Sequence, residues 1–175
     1  MRFAKFVMAA TTAVAFSASA AMAGSHSLSI KIGTEGAYPP FNNLEADGSL
    51  VGFDIDIANA LCEEMGADCE FVTSDWDGII PGLLAGNYDA IIASMSITAE
   101  RMEVVDFTGK YYDTPPAIAV PKDSDIAEAT DAALAGKAIG AQSSTTHSNY
   151  AEEKLSSASL TLYPTPDEYK LDIAN

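Results

Sequence analysis

The chain has 175 residues, with 25 acidic and nine basic side chains and a net charge of −16. So acidic a chain repels polyanions, which excludes nucleic acid and anionic membrane surfaces as natural partners. Its length suits one domain, or one domain and part of another.

Residues 1–23 read as a signal peptide. Arg2 and Lys5 make the basic start, Phe6 to Phe16 the short apolar stretch, and Ala21-Met22-Ala23 the small-x-small motif before Gly24. The expectation is export to the periplasm with cleavage after Ala23. No cysteine stands at this boundary, so no lipid anchor is expected. Removing the segment takes the charge from −16 to −18, because it holds two basic residues and no acidic one. No later stretch reaches the ~18 apolar residues of a membrane span, so the exported protein is expected to be soluble.

Leu28 to Thr34 alternates apolar and polar residues, which predicts a strand with one buried face. Gly36-Ala37-Tyr38-Pro39-Pro40-Phe41 breaks it into an extended turn, and Ala46-Asp47-Gly48-Ser49 is a second turn signal. From Asp54 to Met65, apolar residues Ile55, Ile57, Ala58, Leu61 and Cys62 fall at helical spacing, and Gly66 stops the helix. Cys69 to Val72 is a strand. Asp75 is placed to cap a helix over Asp77 to Ala85, and Ala90 to Ala93 reads as a buried parallel strand. This β-α-β-α-β order predicts a parallel sheet with right-handed crossovers and helices on both faces.

A capped helical turn is expected at Thr98 to Val104, then extended segments at Val105 to Thr108 and Ala117 to Val120. A second series follows, with strands at Lys137 to Ala141 and Leu160 to Tyr163 and helices at Ser144 to Leu155 and Thr165 to Asn175. The domain reading is a first lobe over 24–115, a hinge strand over 116–121 and a partial second lobe over 122–175. A layer of two strands has little core to close on. The second lobe is therefore expected to be incomplete, through natural truncation, fragmentation or a shifted reading frame.

Cys62 and Cys69 admit two readings, a disulfide tying a helix end to the next strand or a pair of free buried thiols. Export favours the disulfide. No metal site is expected, since His26 and His147 lie far from both in sequence. Arg101 is the only arginine after the signal segment and closes the run Ser94-Met95-Ser96-Ile97-Thr98-Ala99-Glu100-Arg101. Its planar fork of donors matches a carboxylate. It receives either the carboxylate of a small ligand or a neighbouring acid on the surface.

Other candidates carry the same double reading. Ser94, Ser96 and Thr98 contact a ligand or do ordinary capping and turn work. Trp76 and Tyr38 follow strand ends, where clefts of open α/β sheets form; otherwise Trp76 packs in the core and Tyr38 is a loop aromatic covering the sheet. Glu35 meets a cationic head or is a solvated acid. Ser144-Thr145-Thr146 opens a helix whose free N–H groups face the first lobe. The pairs Asp54/Asp56 and Asp75/Asp77 suggest acid–base work or helix capping with dipole complementarity, and His147 is a helix-surface residue.

Several stretches together resemble one family. They are Gly33 to Phe41, Gly52 to Ala58, Leu61-Cys62 through Cys69, Asp75 to Pro81, Tyr88 to Ile92, Ser94 to Arg101, and Ser144 to Thr146. The chain is similar to periplasmic solute-binding proteins of amino-acid ABC importers, in the group that takes up histidine, lysine, arginine, ornithine and opines. The resemblance implies a type II-like α/β architecture, two lobes with doubly wound sheets joined by hinge strands. It implies that Arg101 holds a ligand α-carboxylate with the backbone near Ser96. It further implies that the Ser94 carbonyl accepts from the α-ammonium, that Tyr38 and Trp76 flank the side chain, and that Thr145 and Thr146 reach across from the second lobe. Relatives with cysteines at this spacing carry them as a disulfide. The implied partners are an L-amino acid and an inner-membrane permease, the protein acting as a monomer without a cofactor. It is not expected to be an enzyme. The alternatives are a dehydratase-like enzyme on the same fold and a non-functional truncated product.

Overall fold

The computed structural model describes residues 28–174. The signal peptide over 1–23, the cleavage after Ala23 and His26 lie outside the described residues.

The chain opens with β1 (Leu28–Thr34), then a small antiparallel sheet of β2 (Ala37–Tyr38), β3 (Asn42–Leu44) and β4 (Leu50–Val51). Helix α1 (Phe53–Met65) ends at Gly66, whose φ of 61° supplies the left-handed cap that glycine accepts without strain. Then come β5 (Ala67–Thr73), α2 (Trp76–Leu84), β6 (Ala90–Ile91) and the short α3 (Ala99–Met102). The main sheet has the order β5-β1-β6, all parallel. Its ladder runs from Leu28 opposite Ala67 to Thr34 opposite Thr73, with Ile32 and Gly33 opposite Ala90 and Ile91.

Helices cover both faces, as the strand–helix alternation predicts. On one face Ile32, Ala58 and Cys62 are buried with Ile30, Phe71 and Ile92 against them. On the other, Ile79, Tyr88 and Ala93 are buried with Val72, Leu83 and Ile91. The Tyr88 ring lies so close to Gly33 that a Cβ there would sit 2.6 Å from it, so this strand position must be glycine.

The second unit contains α4 (Asp131–Leu134), β7 (Ala138–Gln142), α5 (Thr146–Lys154), β8 (Ser159–Tyr163) and α6 (Pro166–Ala174). β7 and β8 pair in parallel from Ala138 opposite Ser159 to Gln142 opposite Tyr163. Leu134, Ala151 and Leu155 form its core.

Four expectations need correction. Residues 116–121, expected as a hinge strand, and the stretch 105–108 form no strand, because no neighbouring strand among the described residues offers them a ladder. The helix expected over 98–104 is only the four-residue α3. Asp75 stands at the N-cap of α2, but its side chain makes no capping hydrogen bond. The turns expected at 39–41 and 46–49 are present, but the short antiparallel strands β2, β3 and β4 that they join were not expected.

Cys62 and Cys69 are joined in a disulfide across a sequence separation of seven, tying the end of α1 to β5. In the chain-entropy account such a short loop stabilises by about 2.5 kcal/mol. Replacing both cysteines by serine should lower the stability of the first lobe by about that amount in denaturant titrations, with the secondary structure retained in circular dichroism.

Candidate ligand site

A parallel sheet puts the carboxyl ends of its strands along one edge, and loops that leave there share one cleft. Glu35 follows β1, Trp76 follows β5 by three residues, and Ser94 to Arg101 follow β6. From the second lobe, Gln142 to Thr146 leave β7, and Pro164 and Thr165 leave β8. Between them lies a cleft of about 330 Å³, walled by Glu35, Trp76, Asp75 and Asp77 on one side and by Pro164 and Thr165 on the other.

Arg101 does not line this cleft but packs on Trp76, which does. Thr98 caps α3, its Oγ1 accepting from the Arg101 backbone N–H at 3.2 Å. The guanidinium carbon lies 5.4 Å from the centre of the Trp76 ring, a cation–π stack. Nη1 donates to the Ser96 carbonyl at 2.8 Å, and Nη2 donates to the Ser144 carbonyl at 3.1 Å. The guanidinium forms no ion pair among the described residues, so the surface-pair reading of Arg101 does not hold. Burial pulls its pKa below that of an ordinary arginine and Glu100 pushes it back, but the group stays a cation.

The Ser144 carbonyl also accepts from Trp76 Nε1 at 3.1 Å. One oxygen of the second lobe therefore takes two donors from the first. Ser144 adopts a left-handed φ of 55°, which aims that carbonyl into the cleft rather than along α5. Its two neighbours also cross. Gln142 Nε2 donates to Glu35 Oε1 at 2.5 Å and to the Pro164 carbonyl at 2.9 Å. Ser143 Oγ donates to both Asp77 oxygens, at 3.0 and 3.2 Å. Burial raises the Glu35 pKa; the Gln142 bond opposes this, and the charges of Asp75 and Asp77 add to the rise.

The remaining candidates divide. Thr145 is the N-cap of α5, and its hydroxyl is committed to a capping box with Ser148; the side chain is a cap, not a free donor. Thr146 begins the helix and is half-buried, its hydroxyl uncommitted. The ring of Tyr38 is stacked on Phe41 with centroids 5.2 Å apart and does not wall the cleft. Ser94 has a left-handed φ of 53°, and its hydroxyl donates to Asp54 Oδ2 at 2.8 Å. Ser96 contributes its carbonyl to Arg101 rather than a donor. His147 is exposed on α5, as expected.

Sequence reasoning missed Gln142, Ser143, Asp77 and Asp54 as members of this network. The first two had a signal, since they stand at the carboxyl end of a parallel strand where ligand-facing loops leave. Asp54 read as a first-turn acid of α1; it is instead fully buried and holds three neutral donors. No group of side chains able to hold a metal ion exists among the described residues.

A profile of the family described as "Bacterial extracellular solute-binding proteins, family 3" matches residues 30–161. The chain is 42% identical to an L-arginine-binding protein of Pseudomonas aeruginosa over 146 residues, 82% of this chain and 56% of that protein. It is 38% identical to an octopine-binding periplasmic protein of Rhizobium meliloti, over 88% of this chain and 60% of that one. The crystal structure of an ancestral amino-acid-binding protein, a precursor of cyclohexadienyl dehydratase, superposes with a TM-score of 0.79 at 34% identity, over 83% of this chain and 65% of that one. The chain thus spans a little more than half the length of the curated relatives it matches.

Trp76 is the sole tryptophan of the chain, so its emission reports this cleft alone. Arg101→Met removes the stacked cation and one of the two donors to the Ser144 carbonyl. The emission maximum of the unliganded protein should shift, while the unfolding free energy from denaturant titration changes by less than about 1 kcal/mol, as for a part-exposed side chain outside the core.

Proposed function

This chain belongs to the bacterial extracellular solute-binding proteins of family 3, and we propose that it captures a polar, cationic L-amino acid or an opine in the periplasm. Hinge closure of the two lobes then delivers the ligand to an ABC permease of the inner membrane. The protein works as a binding protein rather than an enzyme, and as a monomer.

One observation carries this reading. Arg101 Nη2 and Trp76 Nε1 converge on a single acceptor oxygen, Ser144 O, while the guanidinium has no anionic partner among the described residues. A ligand carboxylate brings an acceptor of greater charge to the same donors, and a charge-assisted bond is about twice as strong as a neutral one. The family resemblance supports this carboxylate role for Arg101. The Ser94 carbonyl then takes the α-ammonium, and Thr146 closes from the second lobe.

The other end of the cleft supports the cationic side chain. Glu35, Asp75 and Asp77 wall it, no Lys or Arg does, and Trp76 offers an aromatic face. A ligand spanning both sets of groups touches both lobes, so it binds the closed arrangement better than the open one and shifts the equilibrium toward it.

In isothermal titration, Arg101→Ala should weaken binding of L-arginine by at least about a hundredfold, because a charged ligand group loses its only cationic partner. The pH profile tests Glu35. Its pKa is raised from 4.5, so protonation begins closer to neutral pH than for an ordinary glutamate. A cationic ligand needs the carboxylate, so affinity should fall as pH drops from neutral toward 4.5. Glu35→Gln should bind L-arginine more weakly at neutral pH and with a flatter profile; an unchanged profile would remove Glu35 from the site.

A further inference from the structure

Asp54 is a carboxylate with no solvent exposure and no cationic partner among the described residues. A buried unpaired charge is expensive, so it persists only where donors replace its water. Here three do. Asn42 Nδ2 and Ser94 Oγ both donate to Oδ2 at 2.8 Å, and the Tyr111 hydroxyl donates to Oδ1 at 2.8 Å. The partners come from β3, from the loop after β6 and from the segment after residue 105. One carboxylate thus joins three separate pieces of the first lobe to the start of α1.

Each bond continues toward the cleft. The Asn42 side-chain oxygen accepts from the Gly36 backbone N–H at 2.8 Å, next to Glu35. The Tyr111 oxygen accepts from the Ser94 backbone N–H at 3.3 Å. Ser94 is therefore gripped twice, by its hydroxyl directly and by its amide through Tyr111. It is also one of the two non-glycine residues held at positive φ among the described residues. A serine adopts that conformation only where its surroundings fix it. Burial and the Asp54 bond push the Tyr111 pKa up, so its hydroxyl remains a donor.

Resting on the binding reading above, we infer that Asp54 is a positioning residue: directly and through Tyr111 it grips Ser94 and so sets the first-lobe loop that presents the Ser94 carbonyl to the ligand. It touches no ligand itself, since its oxygens are enclosed and occupied. Its influence should fall chiefly on the α-ammonium end, where the backbone of Ser94 acts.

The test uses the whole chain, with L-arginine and 5-guanidinopentanoate, the same molecule without its α-amino group, as probes in isothermal titration. Asp54→Asn should weaken L-arginine binding by about tenfold, the scale of one lost charge-assisted bond, and leave binding of the des-amino probe unchanged. Ser94→Ala should do the same, and the double variant should be little worse than either, because both act through one element. Tyr111→Phe, which spares the carboxylate, provides the same readout if Asp54→Asn does not fold. Equal losses for both probes, or additive losses in the double variant, would overturn the proposal by showing general loosening. If the wild type binds neither probe, the binding reading fails instead. The amide resonances of Ser94 to Ser96 then still decide the positioning role: they should move in Tyr111→Phe while those of the second lobe stay, and unmoved resonances would overturn it.

Discussion

The position of every group at the cleft depends on the register of β1. This strand pairs with β5 over its full length and with β6 at Ile32 and Gly33. Both faces of the sheet are covered, so a shift of one residue would turn each side chain to the wrong face. Ile32 would then leave the pocket of Ala58 and Cys62 and meet the Tyr88 ring, where only Gly33 fits. The steric demand of one tyrosine therefore fixes where β1 ends. Its end places Glu35, and the strands paired to it place Trp76 and Ser94.

On that scaffold the charges are sorted rather than paired. The ion pairs among the described residues are exposed lysine–carboxylate contacts, worth little each. Arg101 is kept from such a pair by its own loop. The Ser96 carbonyl and the Trp76 ring hold it at the cleft, one by a hydrogen bond and the other by its quadrupole. The carboxylates of Glu35, Asp75 and Asp77 gather on the cleft wall, and Asp75 and Asp77 raise the cost of ionising Glu35 beyond what burial imposes. A zwitterion with a cationic tail has the complementary distribution. This is the physical content of the proposed specificity.

How much of this could be read from residues alone varies with the range of the interaction. The β-α-β-α-β order was legible because apolar periodicity over seven to thirteen residues is a local signal. The Gly66 stop and the Thr98 cap were legible for the same reason. The strands of the small antiparallel sheet were not, because two or three residues with two asparagines carry no period. Asp54 read as a dipole-complementing acid, which it also is. Its partners stand 12, 40 and 57 residues away, and nothing in its neighbours announces them. Thr145 shows the opposite case. A Ser-Ser-Thr-Thr run has more hydroxyls than a cap requires, and only the fold decides which one is consumed by the helix.

The contacts between the lobes are of a kind suited to opening. Every hydrogen bond that crosses the cleft among the described residues comes from three consecutive positions, Gln142, Ser143 and Ser144. None joins two opposite charges. A neutral group bonded to a charged one contributes roughly 1.5–3 kcal/mol, less once water can replace it in the open form. In the proposed binding role, a few such bonds against the freedom of a connection without helix or strand over 103–130 would leave closure near balance. Only near balance can a small ligand command the outcome, since it shifts the equilibrium by no more than its own difference in affinity for the two arrangements. A large apolar interface between the lobes would have closed them permanently. In the proposed role the polar loop at the end of β7 keeps the choice open, and one of its carbonyls, that of Ser144, is bonded to Arg101.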